Sequence, residues 1–145
     1  MDDATEIANL LYAYADRIDH GDYAGVGALF ADGAISTAGG EEGETRGADA
    51  VEAMYTQWTK RFPDTGTPKT KHVTTNLIIE VDGDTATCRS YFCVHQRTDA
   101  IALQPIIAGR YHDRFAKVDG RWRFTHRHIM SDLFGDLSDH LLQSF

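Results

Sequence analysis

The sequence predicts an α+β domain. Apolar residues recur at helical spacing through its first third, and alternating strand-like runs dominate after Lys71. Two Asp-Gly turn signals, in "VDGD" and "VDGR", punctuate those later runs as hairpins. Helices first and a long antiparallel sheet second is the α+β order. The chain has 145 residues, read as a single domain over 1–145. A domain of this size buries roughly 70% of the surface its unfolded chain exposes, enough for a core without staples.

The elements follow in order. Ile7, Leu10, Leu11, Tyr14 and Ile18 make one apolar stripe on a first helix. Asp3 with Glu6 resembles a capping box, with Asp in place of Ser or Thr. Gly21 ends that helix, and Asp22 caps a short second one anchored by Val26, Leu29 and Phe30. "ISTAGGEEGETRG" reads as a short strand, an acidic Gly-rich turn and a return. A third helix sets Val51, Met54, Tyr55 and Trp58 on one face. "FPDTGTPK" breaks it with two prolines and a glycine. Two hairpins then turn at Asp82-Gly83 and Asp119-Gly120, with an irregular crossing over 98–106. After Ser131 the alternation stops, and 136–145 reads as a short terminal helix or lid.

Composition excludes several function classes. The formal charge of −8 leaves no basic footprint for nucleic acid. The apolar runs are too short to span a membrane. "MDDATEIANLL" lacks the basic-then-apolar layout of a signal peptide. Cys88 and Cys93 lie five apart on one strand and point to opposite faces, so both are expected reduced, as in a cytoplasmic protein. Cofactor fingerprints such as a phosphate loop are missing, and no cofactor is expected. His126, His128 and Asp113 share a face and could mimic a two-His, one-carboxylate site. That face is assigned below to an interface, so no metal is expected.

Hairpin counting assigns faces. With Asp82 and Gly83 as turn residues, Val81 pairs with Asp84 and His72 falls opposite Cys93. His72, Thr74 and Asn76 then share a face with Arg89, Tyr91, Cys93 and His95. In the second hairpin His112 meets Arg127 and Arg110 meets Ile129. The opposite face there holds Tyr111, Asp113, Phe115, Trp122, Phe124, His126 and His128. If helices cover the mixed His72 face, it lines a pocket with a few polar groups. The apolar face of Phe115, Trp122 and Phe124 then needs a partner, which predicts a homo-oligomer.

"YAYADRIDHGDYAGVGALFADGA", "KHVTTN", "VDGDTATCRSYF", "GRYHDRF" and "DGRWRFTHR" together resemble the SnoaL-like branch of the nuclear transport factor 2-like superfamily, over about residues 5–132. The resemblance implies a cystatin-like cone, a strongly curved mixed or antiparallel sheet with three N-terminal helices enclosing a pocket. It is strongest to scytalone dehydratase, bile acid 7α-dehydratase and hexachlorocyclohexane dehydrochlorinase. These pair a histidine at the start of the "KH" strand with an aspartate ending the first helix, which are His72 and Asp19 here. The bile acid enzyme has a tyrosine five residues before that aspartate, matched by Tyr14. An arginine late in the last strand is matched by Arg127, and a second histidine after the hairpin turn falls near His95. The family's oligomers suggest a trimer or a dimer.

Each residue has two readings. A neutral imidazole can accept a proton near pH 7, and an aspartate on its other nitrogen fixes the tautomer. Otherwise His72 is a strand-end histidine bonded to a carbonyl. Asp19 reaches inward only if the helix ends near His20; Asp16 and Asp22 are its rivals. Tyr14 either packs in the core or polarises a carbonyl. Arg127 either pairs with a carboxylate or holds an anionic oxygen. The expected catalytic set is His72, Asp19, Tyr14 and Arg127, with His95, Asn76, Tyr91, Trp58 and His112 contacting substrate. The expected function is a cofactor-independent dehydratase-type lyase acting on a hydrophobic cyclic small molecule. An isomerase or cyclase using the same pocket, or a non-catalytic binding module, is the alternative.

Overall fold

The computed structural model describes residues 1–37 and 43–143. Helix α1 spans Asp3–Asp19. Its cap is Asp2, not Asp3: the Asp2 side chain accepts a hydrogen bond from the Thr5 amide at 2.7 Å. Asp3 and Glu6 serve instead as acceptors for Trp122, from its indole N–H at 2.9 Å and its amide at 2.8 Å. They tie the first turn of the chain to its last hairpin. Ile7, Leu11, Tyr14 and Ile18 are buried, as the stripe requires. Gly21, at φ 73°, turns the chain out of the helix. Asp22 then caps α2 (Tyr23–Ala28) through the Gly25 amide. β1 (Ala34–Thr37) and β2 (Thr45–Arg46) pair antiparallel. The Gly-rich turn between them, 38–42, lies outside the described residues. Helix α3 spans Ala48–Trp58 and buries Val51 completely.

Four longer strands complete one sheet: β3 (Thr70–Asp82), β4 (Thr85–Gln96), β5 (Gln104–Val118) and β6 (Arg121–Phe134). The strand order is β2-β1-β6-β5-β4-β3. Every pairing is antiparallel except β1 with β6. β6 runs past Ser131, where the alternation stops in sequence. The expected terminal helix does not form over 136–143; those residues make a turn and an isolated bridge from Leu141 to Thr59.

Register separates the structure from the sequence expectation. The first hairpin closes with Asp82 opposite Thr85, so Gly83 and Asp84 are the turn residues. A bulge follows between Thr75 and Ile78, where Asn76 sits at φ 58°. His72 consequently faces Val94, not Cys93. The second hairpin turns at Asp119 and Gly120 as expected, with φ of 52° and 78°. A bulge between Arg114 and Phe115 then sets Asp113 opposite Arg127 and His112 opposite His128. Phe115, Trp122 and Phe124 are therefore core residues beneath the helices, at most 3% exposed. They do not form the outer face on which the interface was expected. Phe30 stacks on Phe124 at 4.8 Å between centroids, and Phe115 lies against the same ring.

Candidate active site

The inner face of the sheet and the end of α1 bring His72 and Asp19 together. Because α1 stops at Asp19, with His20 as its C-cap, the aspartate turns toward the edge strand β3. Asp19 accepts hydrogen bonds from His72 Nδ1 at 2.7 Å, the His72 amide at 2.8 Å and Thr70 Oγ1 at 2.8 Å. The two side chains are only 9% and 8% exposed. Burial works against the charge on Asp19, but the His72 hydrogen bonds and charge, with Thr70, hold its pKa below the usual value. The Asp19 carboxylate accepts the Nδ1–H hydrogen bond, which leaves Nε2 as the ring nitrogen able to act as a base. His72 Nε2 has no hydrogen-bond partner among the described residues. The rival carboxylates are occupied elsewhere, Asp16 near the exposed His20 and Asp22 as the α2 cap.

A second polar group lies deeper. Arg127 is fully buried and grips Asp113 through Nε at 2.8 Å and Nη2 at 2.9 Å. Burial opposes its charge, but the Asp113 carboxylate holds the guanidinium protonated. Its Cζ lies 3.6 Å from the Tyr111 ring centroid and 4.2 Å from that of Tyr14. Arg127 Nη1 is sealed from solvent with no hydrogen-bond partner. The hydroxyls of Tyr14 and Tyr55 are hydrogen-bonded to each other. Burial raises the pKa values of Tyr14, Tyr55 and Tyr111, so all three are neutral hydroxyls. Phe92, opposite Thr74 on the strand that carries His72, stacks on Tyr111 at 4.5 Å between centroids and so connects the two groups.

The remaining expected contacts separate. His95 pairs with Lys71 and Tyr91 with Thr75, on the outer face of the sheet, opposite His72. His112 also lies on the outer face, in a recess of about 830 Å³ with Ser36, Arg46, Arg114, His126 and His128. Asn76 is exposed at the bulge. Trp58 is half-buried at the end of α3, where its carbonyl accepts the Leu142 amide. The face His126 and His128 were expected to share with Asp113 does not exist, since Asp113 turns inward to Arg127. Among the described residues no group of His, Cys, Asp and Glu is placed to hold a metal.

Four further polar residues of these surroundings escaped the sequence reading. Thr70 was legible, two residues before His72 and so on the same face. Tyr55 appeared only as a helix-face residue, and Asp113 only as a metal candidate. His140, in the final turn, carries no periodic signal at all, yet is buried.

A family model described as SnoaL-like domain matches residues 1–128. The Mycobacterium tuberculosis protein Rv3472, of unknown function, is 31% identical, with 89% of this chain and 71% of that one covered at a TM-score of 0.73. A Nostoc punctiforme protein of unknown function with a cystatin-like fold is 26% identical, with 93% and 95% covered at 0.74. A Novosphingobium aromaticivorans protein provisionally named a scytalone dehydratase is 23% identical, with 92% and 86% covered at 0.71. No protein of curated function matches the sequence.

Proposed function

The chain belongs to the SnoaL-like domain family, and from that premise we propose that it is a lyase eliminating water, or a comparable leaving group, from a hydrophobic cyclic compound. One observation carries the reading: a buried imidazole held by a buried carboxylate at 2.7 Å, with its other nitrogen free of partners among the described residues. That is the arrangement of a general base, worth roughly 10² to 10⁴ in rate. The provisional dehydratase name of one fold neighbour agrees with it.

In the proposed reaction His72 Nε2 removes a proton from carbon next to a carbonyl. The electron pair moves into the carbonyl as an enolate, then expels the leaving group from the β carbon; a departing hydroxyl takes back the proton held on His72 Nε2, so water leaves and the neutral base is restored. Asp19 stabilises the imidazolium formed in the first step. The Arg127 charge and the neutral tyrosine hydroxyls favour the developing oxyanion, a contribution often larger than the proton transfer itself. The walls nearest His72 across the sheet, Val94 and Phe92, are apolar and suit a ring compound.

The test uses cyclic β-hydroxyketones, beginning with 3-hydroxy-1-tetralone. Loss of water followed by tautomerisation gives 1-naphthol, which is fluorescent. His72→Ala should lower turnover at least about 10²-fold with little change in affinity. Asp19→Asn should lose nearly as much, and the two losses should not add. Solvent deuterium entering the ring without loss of water would replace the lyase with an isomerase. Tight binding without turnover, equal in wild type and both variants, would leave a binding module.

A further inference from the structure

The segment 136–143 is fastened at several points. The Lys60 amide donates to the His140 carbonyl at 2.9 Å, and the Leu142 amide donates to the Trp58 carbonyl at 2.9 Å. Lys60 Nζ meets Asp139 Oδ1 at 2.8 Å, and the Gln96 amide group donates to the Asp139 carbonyl at 3.1 Å. The segment offers little packing in return: Leu137 is partly buried against the core, and Leu142 is 55% exposed. What the strap presents inward is His140. The residue is 8% exposed, and its Nδ1 is sealed with no hydrogen-bond partner. Gln96 Oε1, on the residue that holds Asp139, is likewise sealed and unpartnered. Gln96, which holds Asp139, stands opposite Thr70 in the sheet, and Thr70 donates to Asp19, so the turn that carries His140 lies beside the His72–Asp19 site.

A buried polar atom without a partner is costly, and native interiors rarely keep one unless something else meets the need. The need here is chemically narrow. Val94 and Phe92 are apolar, and Asp19 already supplies an ionised carboxylate, so a second anion is disfavoured. A neutral oxygen on an apolar ring fits. We propose that the strap is a wall of the His72 site and that His140, through Nδ1, hydrogen-bonds a hydroxyl or carbonyl oxygen of the bound ring compound. This rests on reading His72 and Asp19 as the site. It adds a substrate-binding residue and a substrate feature to that reading.

The experiment compares two probes on the full chain, 1-naphthol and naphthalene, which differ by one hydroxyl. Wild type should bind 1-naphthol roughly tenfold more tightly, the worth of one hydrogen bond to a buried group. His140→Phe should bind the two equally. His140→Gln, which keeps a donor and an acceptor, should retain part of the preference. In wild type labelled with ¹⁵N in its histidine rings, 1-naphthol should shift the His140 Nδ1 resonance and naphthalene should not, a readout that needs no variant. No preference in wild type, a preference that survives His140→Phe, or an unmoved Nδ1 resonance overturns the proposal. The lyase reading fails separately. If 3-hydroxy-1-tetralone and its relatives are not turned over but the preference depends on His140, the strap assignment stands without the chemistry. If they are turned over and the preference ignores His140, the chemistry stands without the strap.

Discussion

His140 is held neutral by its surroundings: burial, and then the nearby charge of His72, lower its pKa to about 4. In the unfolded chain a histidine titrates near 6.5. Between those values the unfolded chain takes up a proton that the folded chain refuses, so folding stability falls as pH drops through that window. From pH 7 to pH 5 this one group should remove about 2 kcal/mol of stability. Urea unfolding at the two pH values checks it, with His140→Phe expected to lose less than wild type by about that amount. The Asp113–Arg127 pair makes a different demand. Arg127→Met alone leaves Asp113 as an uncompensated buried charge and should cost about 3–5 kcal/mol. The double variant Arg127→Met, Asp113→Leu should recover much of that loss, since neither charge then remains. Thermal unfolding of the three proteins would measure the recovery.

At the scale of elements, a one-residue bulge decides which way a whole strand looks. Asn76, at φ 58°, separates Val73, which points outward, from Leu77 and Ile79, which pack toward the core. Asn76→Val forces a β-branched residue into a left-handed conformation and should cost about 1–2 kcal/mol, whereas Asn76→Gly should be tolerated; denaturant midpoints would show the contrast. The same bulge explains what was legible in the sequence. The helices, their order and both hairpins were readable from period and turn signals, and the faces only as far as the first bulge in each hairpin. The pairing of His72 with Asp19 was suggested by the family resemblance, and the helix end that makes it feasible was marked by Gly21. The partners across the sheet were not readable. Moving the first turn by one residue and inserting the bulges sends His95, Tyr91 and His112 to the outer face. His140 stayed hidden because a short turn fixed by backbone hydrogen bonds leaves no pattern in the side chains.

For the whole molecule, the inward position of Phe115, Trp122 and Phe124 changes what substitution should do. Trp122→Ala should unfold the domain, not dissociate an assembly, because the ring is 3% exposed within one chain. Self-association, if driven by apolar area, falls to the outer face, where Val73, Ile78, Tyr91 and Leu133 are exposed, Tyr91 at 53% and Leu133 at 68%. Sedimentation at micromolar concentration should show a species above 16.1 kDa, with Tyr91→Lys and Leu133→Lys shifting it toward the monomer while the circular dichroism stays unchanged. The parallel pairing of β1 with β6 carries a consequence for the chain's birth. Ser36 and His126, hydrogen-bonded across those strands, stand 90 residues apart. At ~5–20 residues per second, a ribosome needs roughly 5–20 s to deliver the second after the first. For that interval β1 lacks its parallel neighbour, and Phe30 lacks the Phe124 ring on which it stacks. The nascent protein should therefore keep part of its core open, a surface that chaperones recognise, until β6 emerges and closes it.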